Sequence, residues 1–253
     1  MTSLATTLIA LACMGAGMLL GSFLRRRLPD QHLRDESKDV VKAASGMIAT
    51  LVALVIGLLV SSAKSSFDQA NTGITQAGAK VILLDSLLRR YGPDAEEIRG
   101  RLRQMIAAAI ERIWPEASGP AGGLDAVERG TGIEDIQEMI RQLAPKDETR
   151  RSIQSQAFDV CKEMLASRWL IVEQAQTPTP TVFVVMLVFW LAVLFTSLGL
   201  LAPGNATTYF CLSICAVSMA GAILLILEMN RPLEGMIRVS PAPLQKALSI
   251  IKL

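Results

Sequence analysis

Charge is missing from three long stretches of this 253-residue chain, and histidine is nearly missing from all of it. No Asp, Glu, Lys or Arg falls within residues 1–24, 43–63 or 174–227. A helix of a water-soluble globule needs a wet face, so charge would recur every three or four positions. Runs of about 20 residues without any charge exclude that arrangement and predict helices that cross a bilayer. The single histidine, His32, stands in a charged loop with no cysteine pair beside it, which argues against a zinc site. Cys13, Cys161, Cys211 and Cys215 imply no disulfide framework, and Cys211 and Cys215 read as small hydrophobes on one helix face. A net charge of +2 gives no electrostatic case for a nucleic-acid partner. There is no nucleophile elbow, no phosphate-cradling glycine loop and no His/Cys ligand set, so the sequence points away from an enzyme and calls for no metal or cofactor.

What remains is helical and apolar. The first run, about Leu4 to Leu24, ends at Arg25, Arg26 and Arg27. A cleaved signal peptide would carry its positive charge before the apolar run, so this one reads as a retained span. The second span covers roughly Val40 to Val60. Small residues recur along it at every fourth position: Ser45, Ala49, Ala53, Gly57, Ser61 and Ser65. Such residues let another helix approach closely where lipid supplies no hydrophobic drive. Two readings stay open for the row, packing within the chain or a subunit contact and pore-lining face. Beyond the span, Phe67, Ile74, Val81 and Leu88 are spaced by seven, as are Ala70, Ala77 and Leu84. That seam fits a coiled coil or helical bundle. A continuous helix from Val40 to Leu88 would be on the order of 75 Å long, and Gly92-Pro93 should stop it.

Three further helices are expected. One starts at Pro93 with Ile98, Leu102, Met105, Ala109 and Ile113 on its apolar face. After a loop at Ser118–Gly123, a short one carries Ile133, Ile136, Ile140 and Leu143. A longer one follows Pro145 with Ile153, Ala157, Val160, Met164 and Ile171. Thr177-Pro178-Thr179-Pro180 marks the return to the membrane, where Thr181–Leu201 and Thr207–Leu227 are each long enough to span it. Pro203-Gly204-Asn205 turns the chain between them. The expected fold is all-α: four transmembrane helices in two hairpin pairs, with a helical extramembrane insert between helices 2 and 3. Its divisions are 1–63 (helices 1 and 2), 64–177 (the insert, coiled-coil-like over 64–91), 178–230 (helices 3 and 4) and 231–253 (a tail). In the tail, Leu244, Ala247, Leu248 and Ile251 share one face of a short helix.

Arg25, Arg26, Arg27, Arg34, Lys38 and Lys42 crowd the first connecting loop, which favours the cytoplasm for that loop and the external side for the insert. Arg231, Arg238 and Lys246 in the tail pull the other way.

Two segments together resemble the bestrophin-like family of bacterial membrane proteins. One runs from Leu33-Arg34-Asp35 through Lys42 to Gly46, Gly57-Leu58-Leu59 and Ser61 to Phe67. The other is Glu228-Met229-Asn230-Arg231-Pro232-Leu233-Glu234-Gly235 followed by Arg238-Val239-Ser240-Pro241. The resemblance covers almost the whole chain, and the stretch around Arg231-Pro232 is its most specific part. It implies a multi-pass protein of the bacterial plasma membrane with unassigned activity, named for a proposed relation to chloride channels. Bestrophins themselves look like pentameric anion channels with an aromatic neck and an acidic calcium clasp. This sequence has no aspartate run, and its second span carries small residues in place of closely spaced phenylalanines. The resemblance therefore carries over neither calcium gating nor anion selectivity. Bestrophins also keep their large soluble part in the cytosol, against the charge of the first loop.

Two functions of different class follow. The first is a homo-oligomeric, bestrophin-like ion channel in membrane lipid, with helix 2 around a central axis, its heptad extension as a neck, and inorganic ions as partners. The second is a non-conducting scaffold or envelope sensor acting through the helical insert. The candidate pore-lining or packing residues are Ser45, Ala49, Ala53, Gly57, Ser61 and Ser65. The candidate gating or structural motif is Glu228, Asn230, Arg231 and Pro232, where Glu228 and Arg231 would pair at i,i+3 if the helix ran that far.

Overall fold

A computed structural model describes residues 3–29, 35–115, 132–176, 181–233 and 235–251. Among them there is no strand, and the chain is all-α as expected. The helices are α1 (Ser3–Arg27), α2 (Asp35–Tyr91), α3 (Glu96–Ile113), α4 (Ile133–Gln142), α5 (Glu148–Gln176), α6 (Thr181–Leu201), α7 (Ala206–Met229) and α8 (Ala242–Ile250). Four of them, α1, α2, α6 and α7, are long and apolar enough to cross a membrane. The loop expected at Ser118–Gly123 and the junction Thr177–Pro180 lie outside the described residues.

Charge places the helix ends. Asp35 and Glu36 occupy the first turn of α2, and Arg25, Arg26 and Arg27 the last turn of α1, each sign opposing the local end of the helix dipole. α2 runs unbroken for 57 residues. It stops at Gly92, whose φ of 113° is open to glycine and strained for other residues. Pro93–Ala95 then makes a 3-10 turn into α3.

The chain divides into two compact units, Met1–Ser65 with Pro178–Asn230, and Ser66–Thr177 with Arg231–Leu253. In the first, α1 lies along α6 and also against α7. Glycine makes this approach possible. A Cβ on Gly17 would stand 2.6 Å from Ala192 O, and one on Gly21 would stand 2.7 Å from Leu200 N, while Gly199 opens α6 to Met18 O in return. Tyr209 Oη donates to Ser22 Oγ at 2.7 Å, and Ser22 Oγ donates to Met18 O at 3.0 Å, tying α7 to α1. The core is built from Met14, Leu59, Leu187, Leu191, Phe195 and Ile223, with smaller residues between them. The outer surface is just as apolar: Leu8, Leu19, Leu54, Val182, Phe210 and Val217 are all exposed. In water such a surface would drive aggregation; in hydrocarbon it is solvated.

The second unit has the inverse pattern, apolar within and charged without. Val81, Leu84, Leu88 and Tyr91 of α2 meet Ile98 and Leu102 of α3, Ile136 and Ile140 of α4, and Ala157 and Cys161 of α5. Ala247 and Ile251 from the tail close the same core. The apolar faces expected for these helices are the buried ones; the Ile171 side chain is outside the description. The heptad seam of α2 is also occupied here. Ile74 packs with Val239 and Leu244, with Phe67, Ala70 and Ala77 at the margin, so the seam is consumed by the chain's own tail and helices.

Candidate functional site

The second span has two different sides. Ser45, Val52, Leu59 and Ala63 are buried, and the last three join the core of the first unit. The Ser45 hydroxyl is buried with no hydrogen-bond partner in the structure. Ala49, Ala53, Gly57, Ser61 and Ser65 are exposed. The row of small residues therefore does not stay together. A four-residue step advances about 40° around the helix, so the five steps from Ser45 to Ser65 sweep roughly 200°. Its first member faces the core and the rest turn progressively outward.

Gly46 and Gly57 have no atom within 4 Å of the place a Cβ would occupy. Their neighbours on the outward side, Thr50, Ser61, Lys64 and Ser65, are polar. Thr50 Oγ1 bonds back to Gly46 O at 2.9 Å, so its proton needs no outside acceptor. Asp68, Thr72 and Thr75, further along α2, are exposed as well.

The second candidate group sits at the end of the fourth span. α7 stops at Met229, so Arg231 lies beyond the helix. Asn230 caps it: its backbone N–H and its Nδ2 both donate to Ile226 O, at 3.2 and 3.0 Å. Glu228 is 5% exposed, Pro232 is buried and Arg231 is exposed. The segment that follows is fastened to the second unit. Val239 N–H donates to Pro232 O at 2.8 Å, and Trp114 Nε1 donates to Val239 O at 2.8 Å. Pro243 fills a notch at Gly78, where a Cβ would stand 2.8 Å from its carbonyl oxygen.

Several polar pairs escaped the reading of the sequence. Arg99 Nε donates to Asp85 Oδ1 at 2.8 Å, with the two side chains 10% and 6% exposed. The signal was present: Asp85 sits between Leu84 and Leu87, and Arg99 follows Ile98, so each interrupts an apolar face. Lys80 reaches from α2 to α5, at 2.8 Å from Ser167 Oγ and 3.5 Å from Glu163 Oε2. Arg168 meets Glu134 at 2.9 Å. Burial pushes the Tyr91 phenol up, opposed by the Arg150 guanidinium 5.6 Å from its ring. No group of three or more His, Cys, Asp or Glu suited to a metal ion occurs among the described residues.

The family model described as the bestrophin-like domain matches residues 12–244. No curated protein matches the chain. Among solved structures, a tryptophan-to-alanine variant of a bacterial bestrophin homolog from Klebsiella pneumoniae superposes with a TM-score of 0.70. Its identity is 14%, over 99% of this chain and 97% of that one. A leucine-to-threonine variant of the Klebsiella pneumoniae homolog gives 0.66 at 13% identity, over 99% and 98%. A membrane protein carrying a glycine-to-alanine change gives 0.66 at 12% identity, over 99% and 97%. At such identities the likeness is one of fold.

Proposed function

We propose, from the premise that this chain belongs to the bestrophin-like family, that it assembles as a homo-oligomer in the bacterial plasma membrane and conducts ions along the outward face of α2. One observation carries this reading. Within the second span, Gly46, Thr50, Gly57 and Ser61 point away from the chain's own core, while Ser45, Val52 and Leu59 turn toward it. Lipid neither hydrates hydroxyls nor fills the grooves that glycines leave, whereas apposed copies of α2 around an axis would do the second and leave room for water and ions to do the first. The core-facing seam of the α2 extension is already filled by the tail, so an axial neck would use its exposed side, where Asp68, Thr72 and Thr75 lie. Glu228, Asn230, Arg231 and Pro232 are proposed as a gating or structural motif at the end of the last span.

Substituting Gly57→Leu or Ser61→Leu should abolish conductance or block assembly. Normal currents from well-assembled variants would remove the outward face of α2 from the pathway.

A non-conducting scaffold is favoured by Trp169 and Leu170, both more than half exposed on α5. Crosslinking in cells through the 93–173 region would capture a partner in that case, and only self-contacts otherwise. We place the helical insert on the external side from the basic first loop; the basic tail and the bestrophin kinship favour the cytosolic side. Ser152→Cys on exposed α5 should react with a membrane-impermeant maleimide in intact spheroplasts if the insert is external, and only after lysis if it is cytosolic.

A further inference from the structure

We propose that the end of α1 binds one anionic phospholipid, with its phosphate between Arg26 and Arg27 and an acyl chain along Leu19, Leu20 and Phe23. The inference needs only that α1 crosses the bilayer and stands apart from the question of conduction.

The helix sorts these residues by side. Gly17 and Gly21 face α6, where their Cβ positions meet Ala192 O and Leu200 N. At about 100° per residue, Phe23 lies about 160° around the helix from Gly21, on the opposite side. Leu19 and Leu20 fall within about 60° of Phe23, and all three side chains are more than half exposed. Arg26 and Arg27 stand one turn beyond the ring, about 60° to one side of it and about 40° to the other. Arg25 falls about 160° from Phe23, above the side that packs on α6. Two of the three arginines therefore crown the outward apolar strip, and the third does not.

Length sets the depth. From Ser3 to Leu24 the helix rises about 32 Å, which matches about 30 Å of hydrocarbon. Arg25, Arg26 and Arg27, the last turn of α1, then fall in the headgroup layer, where lipid phosphates lie. Charge at this end of the unit also asks for an anion. The eight steps from Arg27 to Asp35 reach at most about 29 Å, short of the roughly 40 Å of a whole bilayer, so α2 begins on the same side. Its first lysines are taken, Lys38 by Asp35 at 3.2 Å and Lys42 by Asp39 at 3.1 Å. Asp30 and Arg34 in the connection cancel in formal charge, and the turn between α6 and α7, brought here by the Tyr209–Ser22 bond, carries none. Three arginines against Glu36 leave a formal +2. Phe23 joins the two halves of the site: Arg27 Cζ stands 5.3 Å over the centroid of its ring. A guanidinium stacked on an aromatic face keeps its planar fork of N–H donors for a phosphate. Free phosphate would meet the arginines alone, whereas a lipid also covers Leu19 and Phe23, so the occupant is lipid.

The test is photolabelling of the full chain in nanodiscs of equal phosphatidylglycerol and phosphatidylcholine. Each lipid is supplied in turn with a diazirine on its acyl chain, and labelled residues are mapped by peptide mass spectrometry. The exposed face of α7 at Phe210, Ile214 and Val217 is the reference for bulk lipid. Phosphatidylglycerol should label residues 19–23 in excess over phosphatidylcholine, and the two should label the α7 face equally. Equal labelling at both places would mean bulk lipid only and overturn the proposal. No label at 19–23 from either probe would mean that a second copy or another protein covers the strip, which also overturns it. Arg26→Gln and Arg27→Gln, which leave the buried side of α1 intact, should each lower the excess about fivefold, the ratio for about 1 kcal/mol per basic residue at an anionic surface. Arg25→Gln should leave it unchanged. An equal loss in Arg25→Gln would reduce the effect to net charge, and no loss in the other two would take the phosphate off the arginines; either removes the site. Added inorganic phosphate should not lower the excess, and competition by it would assign the arginines to a free anion and overturn the choice of lipid.

Discussion

Replacing Gly21 with alanine adds one methyl group where backbone stands on every side. Its Cβ would lie 2.7 Å from Leu200 N and 3.0 Å from Gly199 C, and closest of all to Thr196 O. Ordinary contact begins near 3.4 Å, and none of these atoms belongs to a side chain that can rotate away. α1 and α6 must therefore part by several tenths of an ångström. A gap of 0.5–1 Å forfeits roughly a quarter to a half of each attractive contact across the seam, and overpacking of this kind costs about 1–3 kcal/mol. Alanine returns about 1 kcal/mol through its better helix propensity. The expected net loss for Gly21→Ala is thus up to about 2 kcal/mol, and its distance from a variant that shows only the propensity gain is about 1–3 kcal/mol. Gly221→Ala on α7 is the control: no atom lies within 4 Å of its Cβ position, so only the propensity gain remains. Reversible unfolding in mixed micelles, followed for both variants beside the parent, reads the two signs. If Gly21→Ala proved as stable as Gly221→Ala, the close α1–α6 seam would be wrong.

Two further outcomes concern the helical unit. Asp85→Ala should destabilise it by about 3–5 kcal/mol, because it strips the carboxylate from a buried guanidinium. Lys38→Ala should change stability by less than about 1 kcal/mol, because the Lys38–Asp35 pair is exposed. Thermal melts in detergent compare the two. Cys161, fully buried and with burial pushing its thiol up to about 12, should resist alkylation at pH 8 and react only on unfolding. Peptide mass spectrometry after maleimide treatment checks this, and ready modification of folded protein would contradict the packing of α5.

The spans were legible because one force dominates them. A charge-free run of bilayer length leaves little alternative, and Thr181–Leu201 is read to the residue. The helices of the second unit were legible through their period, as at Ile133, Ile136 and Ile140. The direction in which α2 turns its small residues was not. Both of its sides are apolar or small, and no charge labels one as outer until Val52, Leu59 and Ala63 join the core of the first unit. Gly17 and Gly21 show the same limit, because the fit of α1 against Gly199 depends on which helix lies alongside. Gly78 could not be read at all, because its reason is Pro243, 165 positions away. Asp85 and Arg99 could have been paired, since each breaks an apolar face and neither has another explanation in the sequence.

Conduction along α2 requires that copies of α2 meet across a wet axis. Purification in mild detergent, mass measurement to count subunits, and ion flux from liposomes loaded with the same preparation test that directly. An assembly of several copies that passes ions is the expected result. A single-copy protein that leaves the liposomes sealed would contradict it.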